Sequence, residues 1–161
     1  MREDGKDAPA ILFLCLGNIC RSPLAEGAAR AAFEAAGISA TLDSAGTGDW
    51  HVGHPPDHRA QAEARRRGAD ISDLRARQLT PQDFYRFDRI LAADETNLRD
   101  ARALAPADAT ARLQLMLDLV PGRAGESLTD PYYGDDGGFA ATWDDVGAVA
   151  AALVADASSS G

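Results

Sequence analysis

The first apolar run in the chain, "AILFLCL" at 10–16, shows no polar alternation, the pattern of a strand buried on both faces. Three further runs, "ATLDSAG" (40–46), "DRILAAD" (88–94) and "ARLQLML" (111–117), read as strands, the last with a helix as its rival. Helical patterns lie between them. Over 23–36, Leu24, Ala28, Ala32 and Ala35 form one stripe and Glu26, Arg30 and Glu34 another, and Gly37 supplies the stop. "PDHRAQAEARRRG" ends in three arginines and Gly68, with Asp57 as its cap. "TPQD" (80–83) is a Thr cap followed by proline, a variant of the capping box. A helix is predicted over "ETNLRDARALA", and a last one carries Phe139, Trp143, Val146, Ala150 and Leu153 on one face. Strands alternating with helices predict βαβ units, hence a parallel sheet covered on both faces. Ligands of such sheets bind beyond the carboxyl ends of the strands.

That rule draws attention to "CLGNICRSP" (15–23), where the first strand hands over to the first helix. Ser22 is the predicted N-cap and Pro23 suits the first turn. Residues 16–21 then form a tight loop whose N–H groups converge at a helix N-terminus, a nest for a tetrahedral oxyanion. Gly17 frees the backbone, and Asn18 tolerates left-handed dihedrals while bonding the loop to itself. Arg21 can grip two phosphate oxygens with its planar fork. The same positive surroundings are expected to favour the Cys15 thiolate, and Ser22 can donate to its sulfur. The Gly-Lys-Ser/Thr ending of a Walker A loop is missing.

Composition narrows the picture. The chain has 161 residues, 45% of them hydrophobic, which fits one domain over 1–161 with loose ends near 1–8 and 156–161. The charged N-terminus is no secretory signal, and no run reaches the ~18 apolar residues that span a bilayer, so no membrane partner is expected. Two cysteines make no disulfide framework, and a reducing cytoplasm is the expectation. A net charge of −9 argues against nucleic acid and means that any phosphate must be held by a local device. His51, His54 and His58 match no helix-face ligand pair and no carboxylate triad accompanies them, and the C-x4-C of Cys15 and Cys20 lacks a second pair, so neither a metal nor another cofactor is expected.

"CLGNICRSP" resembles the phosphate-binding loop of the low-molecular-weight protein tyrosine phosphatases. "DSAGTGDW" with the following G, P, D and R (43–59), "ARQLTPQDF" (76–84), "FDRILAADETNLRD" (87–100) and "DPYYGDD" (130–136) are similar to that family in order and spacing. The resemblance implies a flavodoxin-like fold with a four-stranded parallel sheet in the order 2-1-3-4. It implies Cys15 as nucleophile, Arg21 as phosphate clamp and Asp130 as general acid. Leu16, Gly17, Asn18, Ile19, Cys20, Arg21 and Ser22 would form the phosphate cradle.

Without the resemblance, Asp130 reads as a surface Asp-Pro turn and Trp50 as either a plug over the core or a substrate wall. With it, Asp130 becomes the acid, and Trp50, Tyr132 and Tyr133 wall an aromatic substrate. Asp135 and Asp136 read as a solvated run opening the last helix. Ile19 stands where the family's arginine-phosphatase branch carries threonine, which favours phosphotyrosine. An arsenate reductase on the same loop would need a downstream cysteine pair, and none follows Cys20. Cys20 is either packing under the loop or a redox partner that guards Cys15. Many members place a histidine near 72–75 to brace Asn18 and Ser22. Here Leu74 lies nearest, which leaves Ser44 for that support. The implied partners are phosphotyrosine proteins, with inorganic phosphate as product, for a monomer or weak dimer.

Overall fold

The computed structural model describes residues 8–133 and 137–160. Four strands form one parallel sheet: β1 (Ala10–Cys15), β2 (Thr41–Gly46), β3 (Arg89–Ala92) and β4 (Arg112–Leu115), in the order β2-β1-β3-β4. The sheet order is the one that the family resemblance implied. The fourth run is a strand, and a 3₁₀ turn over Met116–Leu119 takes up its end.

The helices are α1 (Arg21–Ala36), α2 (His58–Arg66), α3 (Asp83–Arg86), α4 (Glu95–Leu104) and α5 (Gly137–Ser160). Alternation along β1 decides the two cores. Ile11, Phe13 and Cys15 face the cluster built from α1 and α5, and Leu12 and Leu14 face Phe84, Phe87 and Ala101 on the other side. This is why β1 reads as an unbroken apolar run.

Local signals account for most helix ends. Gly37 takes φ 71° and closes α1, while the Asp57 carboxylate accepts the Arg59 N–H at the start of α2. "TPQD" yields one turn of helix, ended where Phe87 turns extended; the Asp83 carboxylate accepts the Thr80 N–H, as in a capping box, and is held there by Arg77. α5 continues to Ser160, through the serine-rich stretch expected to be loose. Its segment Gly138–Ser158 is long and apolar enough, by length and composition, to cross a membrane. Phe139, Val146, Val149 and Leu153 from that segment are nonetheless buried, with α5 packed along α1.

One expectation fails at the start of α1. The helix begins at Arg21, so Ser22 lies inside it rather than at its cap, and no side chain caps the first turn. The Ser22 hydroxyl is engaged elsewhere, by Cys15 and Asn18. Leu74 packs against the α1–α5 core and takes no part in bracing the loop.

Candidate active site

The loop from β1 to α1 lies between the carboxyl ends of β2 and β3. Its backbone is tied down on both sides. Thr47 N–H donates to the Cys15 carbonyl at 2.9 Å, Gly48 N–H to that of Leu16 at 2.9 Å, and Asp57 N–H to that of Ile19 at 2.8 Å. Asn18 adopts the left-handed region at φ 59°, as its residue type suggested.

The sulfur of Cys15 is the focus of the loop. Asn18 N–H points at Sγ from 3.3 Å, and the Ser22 hydroxyl lies 3.0 Å away. Asn18 Nδ2 donates to Ser22 Oγ at 2.8 Å and to Ser44 Oγ at 3.0 Å, and Asn18 Oδ1 accepts the Arg77 N–H at 3.0 Å. Ser44 thus holds the Asn18 amide, and its own hydroxyl donates to Glu26.

Arg21 is buried at 3% exposure, which is tolerable for a guanidinium only with partners. Nη1 donates to Asp94 at 2.8 Å and to the Leu128 carbonyl at 3.1 Å, and Nη2 stands 3.6 Å from Asp130. Burial alone would lower its proton affinity. The Cys15 sulfur, the Asp94 hydrogen bond and Asp130 outweigh burial and hold the guanidinium above its ordinary value. Cys20 behaves differently. Burial, and then the Asp57 charge, push its thiol far up, so at neutral pH it is protonated.

A cavity of about 410 Å³ opens over the loop, lined by Cys15, Leu16, Gly17, Ile19, Cys20 and Arg21, with Trp50, His51, Asp130 and Tyr132 around its mouth. Trp50 is 67% exposed, so it plugs no core. The Tyr133 side chain, Asp135 and Asp136 lie outside the described residues. Tyr132 N–H donates to the Asp130 carboxylate at 3.0 Å, and Arg59 donates to the Tyr132 carbonyl at 3.2 Å while covering the Tyr132 and Phe139 rings.

Among the described residues the histidines gather no further ligands. His51 and His54 sit with ring centroids 5.7 Å apart, and among the described residues no three His, Cys, Asp or Glu side chains come together as a metal site.

Four site residues escaped the sequence reading: His51, Asp94, Glu26 and Arg77. His51 had one available signal, its place beside Trp50. A Cβ on Gly17 would stand 2.9 Å from its ring, so His51 packs against the loop. Asp94 had another, its position as the cap of α4 where β3 ends next to β1.

A sulfur and an arginine facing one anion-sized cradle at a helix N-terminus, with a carboxylate across the opening, define a site for a tetrahedral oxyanion held against a thiol. The family model "Low molecular weight phosphotyrosine protein phosphatase" matches residues 10–159, and the chain belongs to that family. It is 42% identical over 132 residues to the "Low molecular weight phosphotyrosine protein phosphatase" of Schizosaccharomyces pombe, covering 80% of this chain and 84% of that one. The crystal structure of YfkJ from Bacillus subtilis superposes with a TM-score of 0.87 at 35% identity, covering 95% of this chain and 96% of that one. A Drosophila arginine phosphatase structure matches with a TM-score of 0.85 at 30% identity, covering 91% of this chain and 96% of that one.

Proposed function

We propose that the chain is a metal-independent, cytoplasmic protein tyrosine phosphatase, one domain acting as a monomer or weak dimer, that hydrolyses phosphotyrosine and other aryl phosphate monoesters through a phosphocysteine. The observation that carries this reading is the convergence on Cys15 Sγ of the Asn18 N–H and the Ser22 hydroxyl, with Arg21 and Asp130 facing the same cavity.

In the first step the Cys15 thiolate attacks phosphorus. The phosphorus–oxygen bond to the phenol breaks, and protonated Asp130 gives its proton to the leaving oxygen. Arg21 and the loop N–H groups hold the equatorial oxygens throughout. In the second step the Asp130 carboxylate takes a proton from water, the oxygen attacks phosphorus, the sulfur–phosphorus bond breaks and inorganic phosphate leaves. Trp50 and Tyr132 line the cavity and can wall an aryl ring, with Tyr133 next to Tyr132 in sequence. Ile19 at the cavity wall supports phosphotyrosine over phosphoarginine. The free thiols of Cys15 and Cys20 suit a reducing compartment. Cys20 serves as a resolving thiol: peroxide oxidises Cys15 to a sulfenic acid, and the minor thiolate form of Cys20 attacks that sulfur, forming the disulfide and releasing hydroxide.

The test is steady-state hydrolysis of p-nitrophenyl phosphate and of a phosphotyrosine peptide in EDTA. Turnover of both that disappears in Cys15→Ser is expected. Turnover that requires added metal, or that survives Cys15→Ser, overturns the reading.

A further inference from the structure

Glu26 lies on α1 with 1% exposure, and no step above uses it. A buried carboxylate costs more than an apolar residue of the same size unless its contacts offset the burial. Ser44 Oγ donates to Glu26 Oε1 at 2.8 Å. Arg30 Nε donates to Oε2 at 3.0 Å, and Arg30 Nη2 also reaches the Leu42 carbonyl at 2.9 Å.

The hydrogens can be followed from this end. An ionised carboxylate only accepts, so Ser44 gives Glu26 its single hydrogen. Ser44 Oγ then accepts from Asn18 Nδ2, whose other hydrogen goes to Ser22 Oγ. The Arg77 N–H holds the amide oxygen of Asn18 at the opposite end. With its oxygen accepting from Asn18, Ser22 has its own hydrogen left for Cys15 Sγ at 3.0 Å.

We propose that Glu26, paired with Arg30, is a positioning residue: it sets the donor order of the chain Ser44–Asn18–Ser22 so that Ser22 donates to the Cys15 sulfur. Without an acceptor at Glu26, the Ser44 hydroxyl turns back on Asn18 and satisfies itself only by swinging the amide off Ser22. Burial pushes the Glu26 carboxyl up, and the hydrogen bonds from Arg30 and Ser44 work against that rise. The charged and titratable groups about the two ends are Arg21, Cys20, His51 and Asp130 at the sulfur, and Arg30 and Asp43 at the carboxylate. This inference rests on Cys15 being the nucleophile of the proposed function.

The experiment is the pH titration of Cys15 by iodoacetamide, read by peptide mass, beside kcat, KM and phosphate inhibition. Glu26→Leu and Ser22→Ala should each raise the alkylation midpoint by about one unit, the scale of one hydrogen bond to a charged group. Glu26→Gln keeps an acceptor oxygen for Ser44 and should restore the wild-type midpoint. Glu26→Leu combined with Ser22→Ala should match Ser22→Ala alone, since both act through one hydrogen. In Glu26→Leu kcat should fall while KM and phosphate inhibition hold, because Arg21 and the backbone cradle are untouched. If Glu26→Leu does not fold, Arg30→Met at its exposed position serves, with a smaller rise of the same sign expected. A wild-type midpoint in folded Glu26→Leu, or in Arg30→Met where that variant is needed, overturns the proposal, as does an additive double variant. Alkylation needs no turnover, so wild-type protein that hydrolyses no phosphate ester would defeat the proposed function while the titration still judged the chain.

Discussion

Placing an alanine at Gly46 tests how tightly the phosphate loop is held by its neighbour strand. Gly46 ends β2 opposite Cys15 in register. A Cβ there would stand 2.6 Å from the Leu16 carbonyl oxygen and 3.2 Å from both the Asn18 nitrogen and the Gly17 carbonyl carbon. All three are backbone atoms of the loop, so no side chain can swing aside. An unforced carbon–oxygen contact is about 3.3 Å, which asks for a displacement of roughly 0.7 Å. Gly46 cannot supply it, since its N–H donates to Arg77 and its carbonyl accepts from Leu79, both at 2.8 Å. The loop must therefore move. Overpacking of this kind costs about 1–3 kcal/mol of stability. A misplacement approaching 1 Å at reacting groups costs up to about 10²-fold in rate, so kcat/KM for p-nitrophenyl phosphate should fall roughly 10- to 100-fold. Phosphate inhibition should weaken with it, because Leu16 and Gly17 belong to the anion cradle. Gly48→Ala is the comparison: the three atoms nearest its Cβ would all belong to the Trp50 ring, which can move, so phosphate inhibition should hold. A Gly46→Ala enzyme with wild-type kcat/KM and wild-type phosphate inhibition would refute the reasoning.

Four further outcomes are expected. Arg21→Lys should fail in both turnover and phosphate binding, because a point charge cannot span Asp94, the Leu128 carbonyl and two phosphate oxygens; near-wild-type phosphate inhibition would count against the clamp. Asp130→Ala should lower kcat on phenyl phosphate by about 10²–10⁴-fold and less on p-nitrophenyl phosphate, whose leaving group needs less protonation; equal losses would remove Asp130 as the acid. The Asp83 carboxyl is held below its ordinary value: burial would raise it, but the hydrogen bonds from Arg77 and Thr80 win. Its contribution to stability is therefore full above the unfolded value of about 4 and drains away as pH falls through the folded one. Asp83→Asn should lower stability by about 3 kcal/mol at pH 7 and flatten the acid limb of a denaturation series, and an unchanged limb would show that the pair does not carry the dependence. Cys20→Ser should keep turnover yet lose most of the recovery by dithiothreitol after peroxide; recovery equal to wild type would leave Cys20 as packing.

The parallel strands and the strand-to-helix loop were legible in sequence because their signals are local, whereas the sheet order came from the family resemblance. β1 reads as buried on both faces from its own residues, and the strand-to-helix turn brings Cys15 and Arg21 together across six positions. What escaped depends on partners far away in the chain. Asp94 meets Arg21 across 73 positions and Arg77 meets Asn18 across 59, and a sequence with 25 acidic side chains offers no means of singling out Asp94 or Glu26. Ser22 went astray for a related reason. Ser-Pro is the local signature of a helix cap, but a sulfur and an amide compete for that hydroxyl and win it. Leu74 shows the reverse. Its position raised the question of what braces the loop, and the answer lay on another element, in the Ser44–Glu26 contact.

The position of β1 also governs how the protein can lose its site. β1 is bonded to a strand on each side and buried on both faces, and Cys15 is its last residue. No small opening can release the cradle, since the strand beneath it can leave only when the sheet does. Backbone amides of Leu12 to Cys15 should then exchange with solvent only through global unfolding, and the acid-bearing segment at 128–133, outside the sheet, should exchange through cheaper local openings. Under rising urea, phosphate binding should vanish together with far-ultraviolet ellipticity, at one midpoint. Turnover, which also needs the segment around Asp130, should decline ahead of both.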